Sequence, residues 1–272
     1  MNFSNRIHNA LRWIVALLTL ISIGACAGLT EPSSKERLTK AHALLAQRCQ
    51  TAGVKIHRTV KNVDGIYLLK LRPKLNFGDQ FALTDPYGND LEGDAYIKSF
   101  LRGFWRSSFN QSSSAHSAGY MYVEAIDPKD GQRYRYVGNF QEVERDGGTL
   151  TGGPRGKFKT TTFELTKTLA TGPAPRYGLI YDDISTCEER IHWIAGSSLK
   201  VIDLQTNEVL AERVGYMMDS GQGNISGGRS PWLYAAKNSC PWFVGEHPEL
   251  NQIGQTERFV EEVLKPAAIQ GN

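Results

Sequence analysis

The chain has no Cys-x-x-Cys pair and no two histidines three to five residues apart, so the short spacings that announce a zinc site are missing. Excess charge of either sign is missing too: 31 Lys and Arg stand against 28 Asp and Glu. Nucleic acid demands clustered cations, and a balanced chain gives no reason to expect it as a partner. The strained Gly-x-Ser-x-Gly elbow of serine hydrolases is incomplete at both places where it begins to form. Gly196-Ser197-Ser198-Leu199 lacks the second glycine, and Asn224 stands where Ser226 needs the first. Gly156-Lys157 lacks the flanking residues of a phosphate-cradling loop, with Thr151 and Phe158 at the decisive positions. The run from Gly221 to Gly227 has one residue too many for a dinucleotide fingerprint. No cofactor and no catalytic residue is implied. The longest uncharged apolar run is also too short to span a bilayer as a permanent helix.

That run, Trp13 to Ala25, follows Arg6 and Arg12 and closes on Ile23-Gly24-Ala25-Cys26. A basic leader followed by a short apolar segment and small residues has the layout of an export signal. The tetrad resembles the lipobox of bacterial lipoproteins, with Ile23 where the family favours Leu. The resemblance implies cleavage before Cys26, a lipid on its thiol and membrane attachment there. Ala27, rather than Asp, follows the cysteine, which in that family implies the outer membrane, facing the periplasm. Two alternatives stay open. Ala25-Cys26-Ala27 also fits ordinary secretory cleavage, giving a soluble periplasmic protein, and a third reading keeps the segment as an uncleaved anchor. The organisation expected is therefore a signal at 1–25, an anchor and tether at 26–32, and one globular domain at 33–272.

Loss of Arg6 and Arg12 leaves 29 cationic against 28 acidic groups. Cys49, Cys187 and Cys240 then remain, and in an oxidising compartment two pair while one stays free or pairs between molecules. Cys187 lies in the polar run Ser-Thr-Cys-Glu-Glu, which reads as a loop. Cys49–Cys240 is thus the favoured disulfide, though all three pairings are possible.

Ser33 with Glu36 forms a capping-box pattern, and apolar residues recur at helical spacing through Ala52 before Gly53. Beyond it the period changes to two. Asp64-Gly65 suggests a hairpin between the segment holding Val54, Ile56 and Val60 and the segment from Ile66 to Leu71. Tyr96 to Phe104 fits helix or strand equally. Asp127-Pro-Lys-Asp-Gly131 joins strands at 120–126 and 133–140, and further strands fall near 158–168 and 177–184. A meander of 190–195, 199–204 and 209–216 follows, with its turn at Gln205 to Glu208, and a last helix runs from Thr256 to about Leu264 before Pro266. The pattern predicts an α+β fold, mainly antiparallel sheet built of hairpins and a meander, with a helix at each end.

Three groups remain as candidates for function. The acidic cluster Asp85, Asn89, Asp90, Glu92, Asp94 offers oxygen ligands of the kind calcium takes, without matching an EF-hand. The glycine-rich stretch holding Asp219, Asn224, Arg229 and Trp232 has the make-up of a recognition loop, against the alternative that Trp232 plugs the core. Trp105, between Arg102 and Arg106, offers an aromatic-cationic contact. The segment from Asp182-Asp183-Ile184-Ser185 through Trp193-Ile-Ala-Gly-Ser-Ser-Leu-Lys-Val-Ile-Asp203 to Ser230-Pro231-Trp232 is similar to proteobacterial lipoproteins with no assigned activity, some of which sit beside genes for secreted antibacterial effectors. That likeness implies an immunity protein that occludes such an effector, and carries over no site residue. The expected function is binding of a protein partner at the envelope. An enzyme would instead gather Asp219, Arg229 and His57 or His192 in a deep pocket, and a structural envelope lipoprotein would need neither.

Overall fold

A computed structural model describes residues 34–75, 77, 87–105, 119–147, 149–150, 153–154, 156–222, 232, 235–243 and 252–268. Its frame is one mixed, mostly antiparallel sheet whose long strands come from the segments of period two. β10 (Ile194–Asp203) and β11 (Glu208–Met218) form a long hairpin, from Ile194 opposite Met218 to Asp203 opposite Glu208. The turn between them places Asn207 at φ 58°, a left-handed conformation that asparagine tolerates. Outward from β10 come β9 (Tyr177–Asp183), β3 (Gly65–Leu68), β4 (Tyr122–Ile126), β5 (Arg133–Asp146) and β8 (Lys157–Leu169). The β9–β3 and β3–β4 contacts are parallel and the others antiparallel. On the other side of β11, β1 (Gly53–Ile56) pairs with Ala211 to Val214, and the short β12 (Ser239–Cys240) pairs with Tyr216 and Met217. Separately, β2 (Val60–Val63) runs parallel to β13 (Leu264–Pro266), and β6 (Thr149–Leu150) pairs with β7 (Gly153–Pro154).

Alternation along β11 sends successive side chains to opposite faces. Tyr216 and Met218 join Ile194, Trp193 and the Ala41–Leu45 face of α1 (Ser34–Cys49). On the opposite face Leu199 and Val201 of β10 join Ile66, Leu68, Val123 and Ala125. Covering them are Tyr96 and Phe100 from α2 (Gly93–Ser99) and its C-cap, and Phe259, Val260 and Val263 from α4 (Gln255–Val263). The fold is α+β as the pattern predicts, with helices near both ends of the described chain. No helix among the described residues is long and apolar enough to cross a membrane.

Cys49 and Cys240 are bonded to each other, their Cα atoms 5.5 Å apart across 191 positions of sequence. Cys187 is disulfide-bonded as well, so none of the three stays free.

Several local expectations need correction. Asp64-Gly65 does not turn a hairpin: β2 leaves to pair with β13, while β3 enters the sheet between β4 and β9. A Cβ on Gly65 would lie 2.4 Å from the Tyr122 ring, so this glycine serves a close approach between strands rather than a turn. Residues 190–195 do not make a strand of their own. Thr186 and Glu189 form a capping box, the Thr186 hydroxyl accepting from Glu189 N–H at 3.2 Å and the Glu189 carboxylate accepting from Thr186 N–H at 2.6 Å. The helix this starts, α3 (Cys187–Ile191), takes up the segment read as a loop, and Trp193 at φ 62° then redirects the chain into β10. Of Tyr96 to Phe104 only the part through Ser99 is helix: Phe100 caps α2 and Leu101 bridges to Tyr120; α1 ends at Cys49 with a turn beyond it.

Candidate functional site

Two adjoining cavities lie on the α4 face of the sheet, sharing Tyr87 and Arg213 in their linings. The outer mouth, about 320 Å³, is walled by Val54, Pro241, Trp242, Phe243, Gln255 and Arg258. The inner recess, about 30 Å³, is lined chiefly by Arg72, Tyr96, Tyr181 and Ser197.

The disulfide sets the mouth. Cys49 closes α1 just before β1 carries Val54, and Cys240 precedes Pro241 and Trp242, so one covalent bond ties both walls. Trp242 is 59% exposed and Val54 45%, an apolar surface open to the outside. Arg213 is fixed from below, its Cα standing opposite Val54 on one side and Leu199 on the other. Two residues along the same face, Gly215 leaves room for the Tyr87 hydroxyl, which a Cβ would approach to 2.6 Å. Arg213 Nη1 donates to Gln255 O at 3.1 Å, and Arg72 Nη2 donates to the carbonyls of Tyr87 (2.8 Å) and Gly88.

The electrostatics of this place are unusual. Neither Arg72 nor Arg213 has a carboxylate within ion-pair distance among the described residues. Asp90 is near, but its oxygens are taken by Leu91 N–H (2.9 Å), Gly254 N–H (2.7 Å) and Thr256 N–H (3.1 Å), which fixes the start of α4. Asp183 borders the recess and is held by Arg190 at 3.0 Å and Ser185 N–H at 2.8 Å. Burial lowers the pKa of the Arg213 guanidinium, with Arg72 and Arg258 adding to the effect. Burial also pushes Tyr87 up to about 12, against the pull of Arg213 and Arg72, and Tyr181 up to about 12. Tyr96 moves further in the same direction, again chiefly through burial. The phenols are therefore neutral donors near pH 7, while an arginine titrates too far above neutrality to lose its charge.

Four buried polar atoms of these residues have no hydrogen-bond partner: Arg72 Nε, Tyr96 Oη, and both Nε2 and Oε1 of Gln255. A buried cation without a counter-charge and a buried amide without partners each cost free energy that a suitable ligand would recover.

The residues singled out from the sequence fare differently. Trp232 is fully buried, packed with Leu75, Tyr87, Ala195 and Met217, so it backs the site from inside rather than meeting a partner. Asp219 is buried and accepts from Gly221 N–H at 3.0 Å. Trp105 is buried too, donating from Nε1 to Ser99 O at 3.0 Å. The surface roles expected of these three give way to packing, because the aromatic and polar groups are enclosed where they fall. Asn224, Arg229 and Cys26 lie outside the described residues. The enzymatic grouping does not assemble from its described members: His57 is exposed, His192 is buried with Nδ1 against Glu188 O at 2.7 Å, and neither lines the cavities. Among the described residues the acidic cluster does not gather as a cation site. Asp90 is spent on backbone amides, Glu92 accepts from Leu75 N–H, Asp85 is outside the described residues, and no metal-binding group forms among those described.

Sequence reasoning missed Arg72, Arg213, Tyr87 and Trp242. They come from four separate stretches, of which only Trp242's lies beside a cysteine of the favoured Cys49–Cys240 pair. The chain matches no family model, no curated protein and no solved structure.

Proposed function

We propose that the chain is exported, anchored at the outer membrane through a lipid on Cys26, and works there as a binding protein for a protein partner, with neutralisation of a secreted antibacterial effector as the specific case. The observation that carries the export half is the Cys49–Cys240 disulfide, since such bonds persist in oxidising compartments. The binding half is supported by the open aromatic mouth, where Trp242 and Arg258 are of the types that dominate contact energies. Anchoring raises the local concentration of a blocker where a membrane-directed effector arrives, and blocking asks for complementarity rather than catalytic groups.

Non-reducing peptide mass mapping tests the anchor. A thiol spent on a thioether leaves Cys187 only a bond to a second molecule, so the expected result is a diacylglyceryl adduct on an N-terminal Cys26 with Cys187 linked between chains, and a Cys26–Cys187 disulfide would refute lipidation. Capture of the protein encoded next door, with a deletion strain poisoned by its sibling, is the expected outcome for immunity. An unpoisoned deletion strain would count against it.

A further inference from the structure

We infer that the paired cavities take the C-terminal end of a partner polypeptide: its terminal carboxylate between Arg72 and Arg213, and an apolar last side chain against Val54, Trp242 and Phe243. The inference rests on the protein-binding reading above and names what that site recognises.

Charge is the first argument. Two guanidiniums border one recess, nine-tenths buried in the case of Arg72, with no carboxylate paired to either among the described residues. An anion placed there gains charge-assisted hydrogen bonds and removes the cost of isolated buried cations. Tyr96 Oη and Arg72 Nε supply two further donors with nothing to donate to.

Size is the second argument. A recess of about 30 Å³ accommodates two groups the size of water, taking roughly 10–15 Å³ for each. A carboxylate brings two oxygens, whereas a phosphate brings more than that space holds.

Gln255 supplies the third. It sits in the mouth, beside the shared wall, with both its amide N–H and its carbonyl unpartnered and buried. A donor and an acceptor side by side are what one peptide unit pairs with, and a simple apolar acid has nothing to offer them. The sequence carboxylate, peptide unit, apolar side chain thus follows the lining from recess to mouth. Capture of a chain terminus by clustered donors is a known mode of peptide recognition.

The test titrates the full-length protein, purified from the envelope, with acetyl-Gly-Leu bearing a free carboxylate and with the same peptide amidated. Calorimetry and Trp fluorescence follow binding. Saturable binding of the acid is expected, with the amide at least tenfold weaker. Trp242→Ala, which alters an exposed side chain, should weaken the acid severalfold and leave the melting temperature in place. Arg213→Gln, Arg72→Gln and Arg72→Lys are each read beside their melting temperatures, and among folded variants the Arg72 lysine variant should retain more affinity than the glutamine one. Equal binding of acid and amide, or no binding at millimolar peptide, overturns the inference. So does 3-phenylpropionate binding as tightly as the peptide acid, because it would show that Gln255 reads no peptide unit. A flat titration leaves the Cys26 adduct and the sibling assay untouched, and a failed sibling assay leaves the titration untouched.

Discussion

At the scale of single residues, the chain treats its buried charges in two ways. Asp203 is fully buried yet well served: Arg176 donates from Nη2 at 2.7 Å and from Nε at 3.0 Å, Arg58 approaches to 3.3 Å, and Gln205 N–H donates at 3.1 Å. Glu124 is likewise buried between Arg133 at 3.3 Å and Arg135 at 2.8 Å. Arg72 and Arg213 are the contrast, with no carboxylate in ion-pair reach among the described residues. The Arg176 hydrogen bond holds the Asp203 carboxyl below its ordinary value. A carboxyl lower in the folded than in the unfolded chain stabilises fully above about pH 4, and the gain fades as pH falls through the folded value. Urea midpoints of wild type and Asp203→Asn should therefore differ most near pH 7 and converge below about pH 4. A gap that stays constant down to pH 2 would rule out this source of acid sensitivity.

At the scale of elements, capping decided what periodicity left ambiguous. The Thr186–Glu189 box starts a five-residue helix where the sequence reads as a polar loop running into a strand at 190. Buried Glu189 also accepts from Arg48 of α1, so the box ties two helices on one face of the sheet. Thr186→Ala should cost about 1 kcal/mol, the usual worth of a cap. Glu189→Ala should cost more, on the order of 2 kcal/mol, because a charge-assisted bond between elements goes with it. Urea denaturation of both variants checks the order, and an equal loss would mean that the Arg48 contact contributes nothing. Elements whose signals were local came out as read. The Asp127-Pro-Lys-Asp-Gly131 turn joins β4 to β5, with Asp127 accepting from Lys129 N–H at 2.9 Å, and the Gln205 to Glu208 turn joins β10 to β11. Asp64-Gly65 has the same composition and no turn, because Tyr122 from a distant strand claims the space over the glycine.

For the whole molecule, the Cys49–Cys240 bond closes 191 positions of chain and joins α1, β1 and β12 at one edge of β11. A closure that long removes much freedom from the unfolded chain, so Cys49→Ala with Cys240→Ala should cost up to about 5 kcal/mol. The same pair should loosen the mouth, since Val54 and Trp242 would no longer be tied. Both effects are measurable, by thermal unfolding and by increased solvent access of Trp242 in acrylamide quenching. A doubly substituted chain with unchanged stability and unchanged quenching would show that strand pairing alone holds this edge.

What the sequence by itself determined is what neighbours along the chain decide: the terminal helices, the β4–β5 and β10–β11 hairpins, the α+β class, and a disulfide between Cys49 and Cys240 that cysteine count and context favoured. The proposed export signal and lipobox are read from the same kind of local pattern. Only the tertiary structure decided the parallel insertion of β3, the inward fate of Trp105, Asp219 and Trp232, and the meeting of Arg72, Tyr87, Arg213 and Trp242. Strand order and cavity lining depend on which distant surfaces exclude water together, and no spacing along the chain encodes that.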